Sequence, residues 1–142
     1  MSSFGLEMLG RAECDALLVA HSFGRIAVWS GEHPAVFPVL YSMLDGDVVF
    51  RTAPGEKLIA AALGQDVVFE IDAPEPATHT GWSVNVVGRA REITNPELLA
   101  RAHALGLQPW AGDYRDRFVR IESERVSGRR IRSHSGEAIP GP

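Results

Sequence analysis

Cysteine is almost missing: the 142 residues contain one, Cys14. A single thiol excludes an intramolecular disulfide, so the framework must rest on packing. A lone Cys before an apolar helical stretch reads as a small buried residue rather than a nucleophile. Lysine is equally scarce, since 13 of the 14 basic residues are Arg and Lys57 is the exception. No run approaches the ~18 apolar residues of a membrane span. The first 15 residues lack both a basic stretch and a long apolar run, so the expectation is no signal peptide and a cytoplasmic protein. Excess positive charge is lacking too. With a net charge of -4 and a pI near 5.7 there is no nucleic-acid surface, and the group Arg129, Arg130 and Arg132 is too short for a binding tail. His33, His79, His103 and His134 are scattered without metal-ligand spacing, so no metal site is expected. No Ser-His-Asp set is visible, and no catalytic side chain is assigned.

What is present is an ordinary globular composition, 45% apolar and 23% charged, in a chain sized for a single domain spanning 1–142. The core is expected over about residues 11–132, with a loose tail from 133 to 142. Residues 12–20 carry helical periodicity. Residues 24–29, 34–44 and 47–52 then read as three strands of an antiparallel meander, the last two joined by the hairpin dipeptide Asp45-Gly46. Residues 52–64 have helix chemistry, with Thr52 as cap, Pro54 in the first turn and Gly64 as stop. Strands follow at 66–72 and 81–93, the latter bent at Gly88. Asn95-Pro96-Glu97 opens a helix running to about 107. Residues 117–126 alternate as a strand that 129–132 extend. Six antiparallel strands with short helices predict a mainly β, closed or nearly closed barrel. No strand–helix–strand unit carries a glycine-rich dinucleotide fingerprint, which disfavours a doubly wound fold.

One corner has chemistry of its own. Residues 48–58 deliver Arg51 and Thr52 on a strand end to a turn that opens the helix bearing Lys57. A planar guanidinium fork, a hydroxyl, an ammonium and helix-start N–H groups together could neutralise a phosphate monoester. The same residues could equally be a solvated helix start with Glu56 and Lys57 in water. Elsewhere, Glu70 and Asp72 alternate with Phe69 and Ile71 as on a half-buried strand, where a general-acid role has no further support.

The run PVLYSMLDGDVVFRTAPGEKL (residues 38–58), followed by VVFEID (67–72) and GWSVNVVGRA (81–90), resembles the flavin-binding split barrels of the pyridoxamine 5'-phosphate oxidase-like family. Pro109-Trp110 and VSGRRI at 126–131 resemble the C-terminal half of its short bacterial branch. The resemblance implies an antiparallel six-stranded split barrel and a homodimer with flavin mononucleotide (FMN) at the subunit interface. It further implies that Pro38, Val39, Leu40 and Tyr41 run along the flavin ring, largely through backbone groups. Arg51, Thr52 and Lys57 would hold the phosphate, Trp82 and Ser83 would lie near the ring, and Trp110 would close the site from the partner. Many short relatives read PVNY where this chain has PVLY; losing the amide of that side chain removes a hydrogen bond worth about 0.5–1.5 kcal/mol. The implied activity is an FMN-dependent oxidoreductase acting on a small molecule. The alternatives are a deazaflavin-dependent reductase and a non-catalytic cofactor-binding module.

Overall fold

The computed structural model describes residues 5–53, 55–108 and 117–132. The chain runs through β1 (Leu6–Leu9), α1 (Arg11–Ala20), β2 (Phe23–Trp29), β3 (Pro34–Leu44) and β4 (Asp47–Thr52). It continues with α2 (Lys57–Ala62), β5 (Asp66–Glu75), a 3-10 turn (Pro76–Thr78), β6 (Thr80–Glu92), α3 (Pro96–His103) and β7 (Arg117–Ile131). Among the described residues no helix is long and apolar enough to cross a membrane.

The strands form one antiparallel sheet in the order β1-β7-β4-β3-β2-β5-β6, and β6 also pairs with β7. That last pairing closes six strands into the split barrel the resemblance implies, with β1 as a seventh strand beside β7. The local reasons are simple. Asp45 and Gly46 both adopt positive φ, at 53° and 82°, the twist a two-residue hairpin needs between β3 and β4. Along β2, Gly24, Ile26 and Val28 turn inward while Phe23, Arg25 and Trp29 turn outward, as a period of two requires.

β7 carries the closure. Its first residues, Arg117 to Ile121, pair with Thr52 to Val48 of β4, and its last, Gly128 to Ile131, pair with Leu9 to Leu6 of β1. Its other edge runs along β6 from Val119 to Ile131. The barrel interior is filled by residues such as Ile26, Tyr41, Phe50, Phe69, Val84 and Ile121. A smaller cluster, Val49, Ile93, Ala102 and Phe118, lies under α3. α1 covers one end: Leu18 is buried, and the buried Tyr41 hydroxyl donates to the Leu18 carbonyl at 2.6 Å. Burial pushes the Tyr41 hydroxyl up to about 12, so it stays a donor at any physiological pH. Cys14 is buried as well, against Gly128, and burial pushes its thiol up.

Several elements differ from their sequence readings. The helix expected over 52–64 is confined to Lys57–Ala62. Thr52 is not its cap, because Thr52 remains in the β4–β7 ladder opposite Arg117. Glu56 caps instead, its carboxylate accepting from the Leu58 N–H at 3.2 Å. α3 stops at His103, short of 107. β5 runs on to Glu75, and β7 is one continuous strand. β1 has no counterpart in the sequence reading; Arg130 anchors it by ion pairs to Glu7 (3.2 Å) and to Glu13 of α1 (2.5 Å).

The bend at Gly88 is real: the β6–β7 register shifts between Val87 and Gly88. A Cβ at Gly88 would run into the carbonyl of Glu122 on the facing strand. Gly88→Ala is therefore expected to destabilise the fold by about 1–3 kcal/mol, the cost of forcing an extra carbon into close-packed structure. Urea unfolding checks this; an unchanged midpoint would mean that the two strands are not in this register.

Candidate functional site

The strand pairing leaves an opening where the sequence places its phosphate corner. β4 pairs with β3 only from Tyr41 to Leu44, whereas the earlier part of β3 pairs only with β2. The end of β4 thus leaves β3 and passes into the turn before α2. Between them lies a cleft of about 160 Å³, walled by Phe37, Pro38 and Val39 of β3, by Arg51 and Thr52 of β4, and by Leu58 and Ile59 of α2. The pairing with β7 holds Arg51 and Thr52 at its mouth.

The sequence-predicted residues do not all behave alike. Pro38, Val39, Arg51 and Thr52 line this cleft. Thr52 is buried. Arg51 is half-buried; its Nη1 donates to the Leu107 carbonyl at 3.0 Å and its guanidinium lies 4.9 Å from the Phe118 ring centre. Its fork is therefore held by the segment that follows α3 and by β7 as well as lining the cleft. Lys57 is the first residue of α2 and is not among the cleft's walls. Glu56 is, and its carboxylate already occupies the Leu58 N–H. An anion seated at this turn meets that carboxylate as a competitor, a feature the sequence reading did not weigh.

Val39 and Tyr41 turn their side chains into the core, so either would reach a ligand only through its backbone. Tyr41 packs edge-on against Phe69, with ring centres 4.7 Å apart. Leu40 does the reverse: it points outward and is 58% exposed. It pairs across to Phe23, which is also exposed. With Val36 and Trp29 these residues make one open apolar face on β2 and β3. Exposed apolar side chains grouped in this way are the kind of surface on which proteins associate.

Trp82 and Ser83 lie elsewhere on the chain. They line a shallow cleft of about 280 Å³ with Asp72, Pro74 and Arg129, and this cleft shares no wall residue with the first. Trp82 packs on His21, ring centres 5.0 Å apart, a contact with no sequence signal because the two residues are far apart in the chain. Trp110 lies outside the described residues. Among the described residues no group of three or more His, Cys, Asp or Glu side chains is placed to hold a metal ion.

The outward face also carries a charged group. Arg25 of β2 stands opposite Glu70 of β5, with its Nη1 3.5 Å from Glu70 Oε1 and 3.4 Å from Asp72 Oδ2. One cation thus serves two carboxylates. Burial, and then hydrogen bonding and repulsion from Asp72, push the Glu70 carboxyl from the usual range up to about 7, against the opposing pull of Arg25.

Comparison with known proteins settles the family. The sequence pattern described as pyridoxamine 5'-phosphate oxidase matches residues 10–130, most of the chain. The chain belongs to the pyridoxamine 5'-phosphate oxidase family. An uncharacterized protein of Mycobacterium tuberculosis is 38% identical over 128 residues, covering 87% of this chain and 84% of that one. Among solved structures, an FAD-binding protein from Mycobacterium smegmatis superimposes with a TM-score of 0.76 at 34% identity, over 88% of this chain and 97% of that one. An FAD-binding protein from Mesorhizobium loti has a TM-score of 0.66 at 27% identity, again over 88% and 97%. The barrel is that of these relatives, and Leu40 stands on its outer face.

The Glu70 shift gives a signed pH dependence. Its folded-state carboxyl holds the proton more tightly than the unfolded chain does, so its contribution favours folding at low pH and is lost as pH rises from about 4.5 to about 7. Urea unfolding of wild type and Glu70→Gln across this window should show curves that converge at the acid end. The variant should gain relative stability up to about pH 7 and hold that gain above it. A difference independent of pH would mean that Glu70 titrates as an ordinary surface carboxylate.

Proposed function

We propose that the protein is a flavin-binding oxidoreductase that takes FMN into the cleft between β3 and α2 and works on a small organic molecule. The observation that carries this reading is the pair of donors at the split, the Arg51 guanidinium and the buried Thr52, beside the apolar wall of Phe37, Pro38 and Val39, with Lys57 opening the helix that follows. The set suits a phosphate ester of nearly two negative charges joined to an apolar ring. Arg51 and Thr52 would bind the phosphate, and Lys57 would add a point charge. The β3 backbone beside Leu40 would line the ring. When bound, a flavin supplies two-electron transfer, and the protein's part is to place it and exclude water. Family membership and the FAD-binding relatives point the same way.

Size argues for a second chain. A pocket that encloses a small-molecule ligand usually measures about 300–1,000 Å³, and this cleft measures about 160 Å³. The rest of the cofactor would lie against the open face. A second copy of the chain docked there would cover Phe23, Trp29, Val36 and Leu40 and bring its own Trp82 cleft and Trp110 to the ring. The site is then a shared one in a homodimer. The charged cluster around Arg25 stands on this face and would be enclosed with it.

FAD in place of FMN is the second reading, favoured by the two FAD-binding relatives. Titration of the purified protein with FMN, FAD and a deazaflavin coenzyme, followed by fluorescence quenching and absorbance, separates these cofactors. Steady-state reduction of quinones and nitroaromatics tests for turnover, which a non-catalytic module would lack. Lys57→Ala is expected to weaken flavin binding by about 1.5–3 kcal/mol, the worth of a charged hydrogen bond, with no change in urea midpoint. Unchanged affinity would remove Lys57 from the site, and a wild-type protein that quenches none of the three cofactors would remove the function.

A further inference from the structure

We propose that closure of two copies over the β2–β3–β5 face is proton-linked, with Glu70 and Asp72 sharing one proton beside Arg25 in the closed dimer. This rests on the two-copy reading given above and adds its regulation.

The geometry is a charge count on an apolar surface. Arg25 reaches both carboxylates through the same nitrogen, at 3.5 and 3.4 Å. With both acids ionised the cluster carries a net charge of minus one. Its surroundings on the outward face are poor in compensating groups. Opposite Arg25 on β3 is Pro38. The Phe23 ring lies 5.9 Å from the Arg25 guanidinium. On β6, Asn85 stands opposite Glu70 and Ser83 opposite Asp72. The next cation is Arg129 of β7, beyond Ser83. β2, β3 and β6 thus offer the two acids one cation in direct reach and otherwise neutral groups, while Arg129 shares the shallow cleft with Asp72 from the far side of Ser83.

In the single chain the cluster is wet: Arg25 is 48% exposed, Glu70 29% and Asp72 35%. Docking a second copy removes that water. Burying an uncompensated carboxylate is expensive, whereas a carboxyl–carboxylate pair hydrogen-bonded through one proton, facing one guanidinium, is neutral and satisfied. The Glu70 carboxyl already sits at about 7 before docking, so the proton is exchangeable at neutral pH rather than in acid alone. Desolvation raises it further, and the dimer binds the proton more tightly than the separate chains do. Association therefore strengthens as pH falls and weakens as pH rises above neutrality. With one proton taken up per chain, the dissociation constant can change by at most about a hundredfold per pH unit.

The test is sedimentation of the full chain over a concentration series between about pH 6 and pH 8.5, where this linkage spans the transition. The expected result is a dissociation constant at least about tenfold larger at the alkaline end. Glu70→Gln and, independently, Asp72→Asn should flatten the dependence, each leaving at most one ionised carboxylate beside Arg25. Circular dichroism reports whether each variant is folded. If the dimer is too tight to dissociate, exchange between differently labelled copies gives the same reading, faster at high pH in wild type and pH-independent in the variants. A dimer whose affinity ignores pH, or keeps its slope in both variants, overturns the proton linkage and leaves the shared site standing. A chain that stays monomeric at every pH overturns the shared site and the linkage together.

Discussion

The antiparallel pairing of β7 with β6 on one edge, and with β4 and then β1 on the other, is the constraint on which the rest of the molecule depends. Each backbone group in a closed sheet has a partner, so a barrel has no free edge to protect. Here the closure also decides where the sheet opens. Because β7 holds β4 through Thr52, β4 cannot follow β3 beyond Tyr41, and the two strands part at Leu40 and Arg51. The cleft is a consequence of that pairing. Arg51 and Thr52 are delivered to its mouth by a ladder, and a rigid ladder sets donor positions more firmly than a loop would.

The same closure sorts the side chains. Alternation along β2 and β3 sends Ile26, Val39 and Tyr41 into the core and sends Phe23, Val36 and Leu40 to the open face. That face is apolar over β2 and β3 and charged at Arg25, Glu70 and Asp72. In the proposed dimer the two properties would belong together: the apolar residues would favour association, and the surplus charge would oppose it until a proton is taken up. Leu40 sits on this face beside Phe23. Being apolar and exposed, it adds to the surface that a second copy would cover in the proposed dimer.

Much of the fold was legible in the sequence where the signal is local. β3 and β4 fall at the residues their pattern predicts, because Asp45-Gly46 is a turn by its own chemistry. The helix after β4 was misread for a reason that lies outside it. Thr52 has cap chemistry, but it stays in the ladder opposite Arg117, and the helix starts only at Lys57 with Glu56 at the cap. β1 is four residues long, and its position follows from Arg130 and Arg132 meeting Glu7, contacts that join the two ends of the described chain. In the site, Pro38, Val39, Arg51 and Thr52 line one cleft, while Trp82 and Ser83 line another. The Arg25–Glu70–Asp72 cluster was hidden because its members meet only through the β2–β5 register, and no sequence spacing encodes that pairing.

The central claim is that one chain supplies half of a flavin site and a second copy supplies the other half. Native mass spectrometry of the protein incubated with excess FMN tests it most directly. The account predicts a species of two chains carrying two flavins, with no flavin on the single chain. A single chain that retains flavin by itself, or a dimer that carries none, would contradict it.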